Sequence, residues 1–205
     1  MSAETAPEAA PRLYLVTPHD LAPEQLAAAA ERLLAGGAVA CLRLDLGAAG
    51  ADAWLRAANL LLPLAHAADV PLVAADRPEL VEQLGLDGVH LGPGGAALGP
   101  LRKRLGKDAI LGGFGGSERH RAMSLAEAGA DYVALGPLHG PDAATDELFA
   151  WWSEMIEVPV VAEGGLTPED AARLAGITDF LVPGAGVWTA EDPAAALAAY
   201  VEAIS

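Results

Sequence analysis

Eight short apolar runs, separated by longer Ala- and Leu-rich stretches with helical spacing, predict an α/β chain folded as a single-domain (β/α)8 TIM barrel. A second observation is a repeated phrase. Gly85-Leu86-Asp87-Gly88-Val89-His90-Leu91-Gly92, Gly129-Ala130-Asp131-Tyr132-Val133-Ala134-Leu135-Gly136 and Gly176-Ile177-Thr178-Asp179-Phe180-Leu181-Val182-Pro183-Gly184 follow one pattern. In each, a Gly ends a helix, an Asp opens a strand, an apolar run follows, and Gly returns at the strand's C-terminal end. Their first glycines lie 44 and 47 residues apart, and Gly36-Gly37-Ala38-Val39 is a looser copy 49 residues upstream. Each interval holds one further strand and helix, so the unit is two βα pairs used four times. A third observation weighs against the rival, an open doubly wound sheet. Thr17-Pro18-His19-Asp20 follows the first strand where that fold would place a G-x-G-x-x-G turn.

Taken in order, Met1–Pro11 is rich in Ala, Pro and Glu and reads as a flexible tail, leaving 12–205 for the barrel. The expected strands are Leu13–Val16, Val39–Leu44, Pro71–Ala74, Gly88–Leu91, Ala109–Gly112, Tyr132–Leu135, Pro159–Ala162 and Phe180–Val182. Most are almost continuously apolar, as parallel strands covered on both faces should be. Helix starts are marked by Pro23 before Glu24–Leu34, by Thr167-Pro168 and by Asp192-Pro193, each placing Pro in a first turn. Trp151-Trp152 fall in the sixth helix region and read as packing, or as an oligomer contact. Trp188 would cap the barrel end or cover a ligand ring.

The composition narrows the function classes. Twelve Lys and Arg against 28 Asp and Glu give a net charge of −16, which argues against nucleic acid as a partner. No apolar run reaches the roughly 18 residues of a membrane span, and no basic-then-apolar leader opens the chain. A cytoplasmic location is expected. Cys41 is the single cysteine, so an internal disulfide is excluded, and within a strand it reads as a small buried thiol.

In a barrel of this kind, ligands bind where the strands end, and phosphate commonly sits after strands seven and eight. Those positions carry Glu163-Gly164-Gly165 and Pro183-Gly184-Ala185-Gly186. Glycines allow backbone N–H groups to approach a phosphate closely, which suits an acidic protein with few cations to spend on it. A phosphorylated small molecule is the expected ligand.

Arg12-Leu13-Tyr14-Leu15-Val16-Thr17, Leu42-Arg43, Asp76-Arg77, Gly88-Val89-His90-Leu91-Gly92, Gly129-Ala130-Asp131-Tyr132-Val133, Gly136-Pro137 and Gly164-Gly165 together resemble thiamine-phosphate synthases. The superfamily also contains TenI-like thiazole tautomerases. The resemblance runs from Arg12 to the C-terminus. It implies a (β/α)8 barrel, a thiazole phosphate or thiamine phosphate ligand, and a place in thiamine biosynthesis. It also implies substrate or phosphate contacts at Tyr14, His90, Gly164, Gly165, Gly184, Ala185 and Gly186.

Departures from the family pattern cluster at one end of the site. The family's Q-x-R-x-K on strand two is Cys41-Leu42-Arg43-Leu44-Asp45 here, so the arginine remains and the lysine has become an acid. The N-D after strand three is Ala75-Asp76. The second magnesium carboxylate after strand four is replaced by Gly92-Pro93-Gly94-Gly95, which leaves Asp76 as a lone, weak metal candidate. The family serine after strand five falls on Phe114, the T-x-T-K loop becomes His139-Gly140-Pro141-Asp142-Ala143-Ala144-Thr145, and the strand-eight serine falls on Gly184. The phosphate end reads as preserved and the diphosphate end as eroded. This argues against the family's synthase chemistry, and magnesium is not firmly expected. The remaining catalytic candidates are His139, Glu163 and Arg43, with His90 as a weaker acid–base candidate. A tautomerase that moves a proton through His139 or Glu163 is the alternative, as is a binding barrel without catalysis. Homo-oligomerisation stays open.

Overall fold

The computed structural model describes residues 11–93 and 97–205. The expected tail therefore lies outside the described residues except for Pro11, which is buried, as do Gly94 and Gly95. Eight strands form one closed parallel barrel in sequence order. They are β1 (Arg12–Val16), β2 (Val39–Leu44), β3 (Leu72–Ala75), β4 (Gly88–Leu91), β5 (Ile110–Gly116), β6 (Tyr132–Leu135), β7 (Val160–Leu166) and β8 (Phe180–Pro183). Between them run α1 (Pro23–Leu34), α2 (Ala51–Ala67), α3 (Pro78–Leu84), α4 (Leu98–Leu105), α5 (Arg119–Glu127), α6 (Asp146–Met155) and α7 (Pro168–Leu174), and α8 (Gly186–Thr189) and α9 (Pro193–Ala203) follow β8. β1 pairs with β8 through Arg12↔Phe180 and Leu13↔Leu181, which closes the ring and rules out the open sheet.

The strand alternation divides the buried residues into two cores. Leu13, Leu15, Leu42, Leu44, Leu72 and Leu111 face outward and pack under the helices in one large aliphatic cluster. Each fully buried Leu contributes about 1.5–3 kcal/mol, so the low aromatic content is no handicap. The opposite faces of the strands fill the barrel interior with Tyr14, Cys41, Val73, Tyr132, Ala134, Val161 and Val182. Gly112 makes room there, since a Cβ at that position would lie 2.0 Å from the Tyr132 ring.

The repeated Asp has a specific task at the N-terminal ends of the strands. Asp87, Asp131 and Asp179 each accept an N–H from the first or second residue of the preceding strand, from Leu72 at 2.7 Å, Leu111 at 2.7 Å and Val160 at 2.8 Å. His66 and Arg102 hold Asp87 and Asp131 from outside, and Arg102 also donates to the Ala109 carbonyl. The predicted caps form as well: Thr167 accepts from Asp170 N–H, and Asp192 accepts from Ala194 and Ala195. Two strands run longer than the sequence predicts, because extended glycine-rich chain continues β5 to Gly116 and β7 to Leu166. Pro71, Ala109 and Pro159 fall just before their strands. Trp152 and Trp188 are packing residues, both fully or nearly fully buried in the outer core.

Candidate functional site

At the C-terminal end of the barrel, a cavity of about 500 Å3 is lined by the ends of β1, β2, β7 and β8 and the turns after them. Glu163, Gly164 and Gly165 form an irregularity in the β7–β8 ladder, which breaks after Ala162 and resumes at Leu166↔Pro183. The expected glycine loop is therefore a bulge within β7 itself. Its shape depends on glycine: Gly164 has φ +120°, and a Cβ there would lie 2.7 Å from Pro137 Cα. Gly136 packs as closely, since its Cβ would lie 2.0 Å from the Glu163 carbonyl oxygen.

The second glycine segment faces the same cavity but is only partly available. Gly184 N–H already donates to the Leu166 carbonyl at 3.0 Å and to Tyr200 Oη at 3.2 Å, a group that sequence reasoning did not single out. The N–H groups of Ala185 and Gly186 have no protein acceptor among the described residues. Ala185 lines the cavity, and Gly186 begins α8 directly behind it.

Arg43 and Glu163 meet at the centre of the mouth. Arg43 Nη1 donates to Glu163 Oε2 at 2.8 Å, with the two side chains only 8% and 17% exposed. Burial opposes the guanidinium charge, yet the adjacent Glu163 carboxylate, followed by Tyr14, raises Arg43 above its ordinary value. Together with Asp45, this pair also lines a second, deeper cavity of about 210 Å3, which includes Asp76, His90 and Phe114. Arg43 and Glu163 thus form a partition between the two spaces.

Tyr14 lies beneath the mouth, and His90 lines the second cavity. Both are almost fully buried in the barrel interior and neither lines the glycine-walled cavity. The Tyr14 and Tyr132 hydroxyls share a 2.6 Å hydrogen bond, and His90 Nδ1 lies 3.0 Å from Tyr132 Oη. These contacts join strands far apart in the chain because the inward faces of β1, β4 and β6 converge on the axis. Burial, more than the nearby Arg43 charge, pushes the imidazole well below its ordinary range, so His90 is neutral near pH 7. Burial also raises both tyrosines and pushes the Cys41 thiol up to about 12, which leaves no thiolate nucleophile. Two buried atoms in this region lack hydrogen-bond partners, Arg43 Nε and His90 Nε2.

His139 requires a correction. It lines neither cavity, is 58% exposed on its side chain, and lies with Nε2 3.2 Å from Asp170 Oδ2. Asp170 is the third residue of α7 and also accepts from Thr167, so the loop after β6 carries His139 toward a helix N-terminus and away from Glu163. Sequence reasoning missed Thr17 and His19. Thr17 Oγ1 bridges the backbone of Asp45, accepting at 2.8 Å and donating at 2.7 Å, and His19 Nε2 lies 3.0 Å from Asp45 Oδ1. Their signal was position alone, directly after β1.

The metal candidate stands by itself. Asp76, at φ +51°, accepts the Gly92 N–H at 3.0 Å through Oδ1. Gly92 and Pro93 occupy the neighbouring strand end, and among the described residues no group of three or more His, Cys, Asp or Glu side chains is arranged to hold a metal. This donor set does not fit the two-carboxylate magnesium site that the resemblance implied. Among the described residues, no helix is long and apolar enough to cross a membrane.

Comparison with known proteins agrees with this architecture. The family model described as thiamine monophosphate synthase matches residues 13–183. A thiamine-phosphate synthase of Rhodospirillum centenum is 43% identical, with 91% of this chain and 94% of the relative covered, and one of Hyphomonas neptunium is 38% identical with 98% and 96% covered. Among solved structures, thiamine phosphate pyrophosphorylase from Pyrococcus furiosus superposes with TM-score 0.81 at 24% identity, covering 94% of this chain and 95% of that one. A 3-hexulose-6-phosphate synthase superposes at 0.70 with 17% identity, covering 94% and 100%; at these identities both show the shared fold.

Proposed function

Because the chain belongs to the thiamine monophosphate synthase family, we propose that it binds a phosphorylated heterocycle of thiamine biosynthesis, thiazole phosphate or thiamine phosphate, at the mouth of its barrel. The observation that carries this reading is the convergence of the Gly164-Gly165 bulge and the Ala185-Gly186 turn on one cavity. The unpartnered N–H groups of Ala185 and Gly186 are donors for phosphate oxygens, and the bare bulge opposite admits the ester. The volume of about 500 Å3 lies within the usual range for small-molecule sites.

The synthase step of the relatives would require charge on a diphosphate leaving group to be stabilised by cations and fixed donors. Among the described residues, the one Lys or Arg lining either cavity is Arg43, and it is held by Glu163. The reading is therefore one of phosphate-ester binding with the family's synthase chemistry curtailed. Isothermal titration with thiamine phosphate tests it directly. Micromolar binding that is lost in Gly164→Ala supports the cradle, whereas no binding of thiamine phosphate or thiazole phosphate rejects it. Product formation from the pyrimidine diphosphate and thiazole phosphate with magnesium, at a rate typical of enzymes, would reject the curtailment.

A further inference from the structure

We propose that Glu163 sets the charge specificity of the mouth: by occupying Arg43, it restricts the site to ligands with a single phosphate on a neutral or cationic ring and turns diphosphates away. This rests on the phosphate-binding reading above and adds the class of ligand.

Three observations carry it. The pair is formed at 2.8 Å and largely removed from water, where a charge–charge contact is little screened. It lines both cavities, so a ligand reaching from the glycine bulge toward the deeper space passes it. The other charged side chains lining those cavities, Asp20, Asp45 and Asp76, are all acids, and His19 faces Asp45. A second phosphate would therefore meet a wall of carboxylates and a cation whose charge is already matched. A neutral ring carries no charge for this wall to repel, and Arg43 and His90 also line the deeper cavity. A cationic ring is favoured further by the surplus of acids.

The test uses inorganic pyrophosphate as probe, titrated calorimetrically into the full-length wild type, Glu163→Gln, and the double variant Glu163→Gln with Arg43→Gln. Glutamine keeps a hydrogen-bond acceptor near Arg43 while removing the charge. The expected result is weak or undetectable pyrophosphate binding by the wild type, a gain of about tenfold or more in Glu163→Gln, and loss of that gain in the double variant. Equal affinity in the wild type and Glu163→Gln overturns the assignment. A gain that survives the loss of Arg43 also overturns it, because the effect would then be general charge removal. Should Glu163→Gln fail to fold by circular dichroism, Glu163→Asp draws the carboxylate back by one methylene and is expected to show a smaller gain, about threefold; no gain there overturns the proposal. Thiamine phosphate titrated into the same samples separates the two readings. Its failure to bind, alongside an Arg43-dependent pyrophosphate gain, rejects the cradle and leaves the role of Glu163 standing.

Discussion

The two ends of the barrel are built on opposite principles. At the N-terminal end, Asp87, Asp131 and Asp179 repeat one contact, each carboxylate taking an N–H at the start of the preceding strand. At the C-terminal end a glycine recurs, but the charged side chains do not repeat. One strand end carries Arg43, another Glu163, another the αL residue Asp76, and the polar atoms left unpartnered include two on residues that line the deeper cavity. Regular, satisfied contacts hold the ring closed, whereas the irregular end retains the Ala185 and Gly186 N–H groups, which have no protein acceptor among the described residues.

Substitutions at the two ends should separate stability from binding. Gly88→Ala is expected to have the largest effect, because its Cβ would lie 2.0 Å from the Ile110 carbonyl oxygen, an atom the strand cannot move freely. A loss of about 3 kcal/mol corresponds to a fall in Tm of about 6–12 °C by differential scanning calorimetry. Asp131→Ala leaves the Leu111 N–H without its acceptor and Arg102 without its carboxylate, though with its backbone carbonyls. It should cost about 2 kcal/mol in urea unfolding with no change in thiamine phosphate affinity. A loss of affinity there would break the division between the ends.

Gly164→Ala should do the reverse. The φ of +120° and the 2.7 Å approach to Pro137 force the bulge to shift, so titration calorimetry should show affinity falling by about tenfold or more, with a smaller loss of Tm than Gly88→Ala causes. A pH series examines the interior beneath the mouth. His90 is held below its unfolded value of about 6.5, so its contribution to stability is full above that pH and declines as the pH falls through it. Tm measured from pH 7.5 to 5 should drop, and His90→Gln should flatten part of the drop, removing about 2 kcal/mol of the pH dependence across that range. The smallest effect belongs to His139→Ala. An exposed contact to Asp170 predicts a change within about 0.5 kcal/mol and unaltered thiamine phosphate binding; abolished binding would return His139 to the site.

Legibility in the sequence follows the same division. The Gly-to-Asp phrase was visible because each copy is local, and the helix starts at Thr167 and Asp192 were visible because capping involves residues two or three apart. Gly164 and Gly165 could be named as candidates, since the order of strands places them at the mouth, and Arg43 through the family resemblance of its strand. His139 could not be placed, because a loop after a strand does not preserve the alternation of faces that a strand imposes. The contact between the two tyrosines was missed for a different reason: Tyr14 and Tyr132 are separated by 118 residues, and nothing local joins them.

By itself, the sequence determined the eight-fold alternation, the caps, and the residue types at each strand end, because these depend on local backbone preference and on periodicity. Only the tertiary structure decided which of those residues meet. Closure of the barrel brings Arg43 against Glu163 across 120 residues and turns three inward side chains into a hydrogen-bonded chain. The physical reason is that a charge or hydroxyl at a strand end takes its chemistry from its neighbours across the barrel mouth, and those are set by ring geometry rather than by position along the chain.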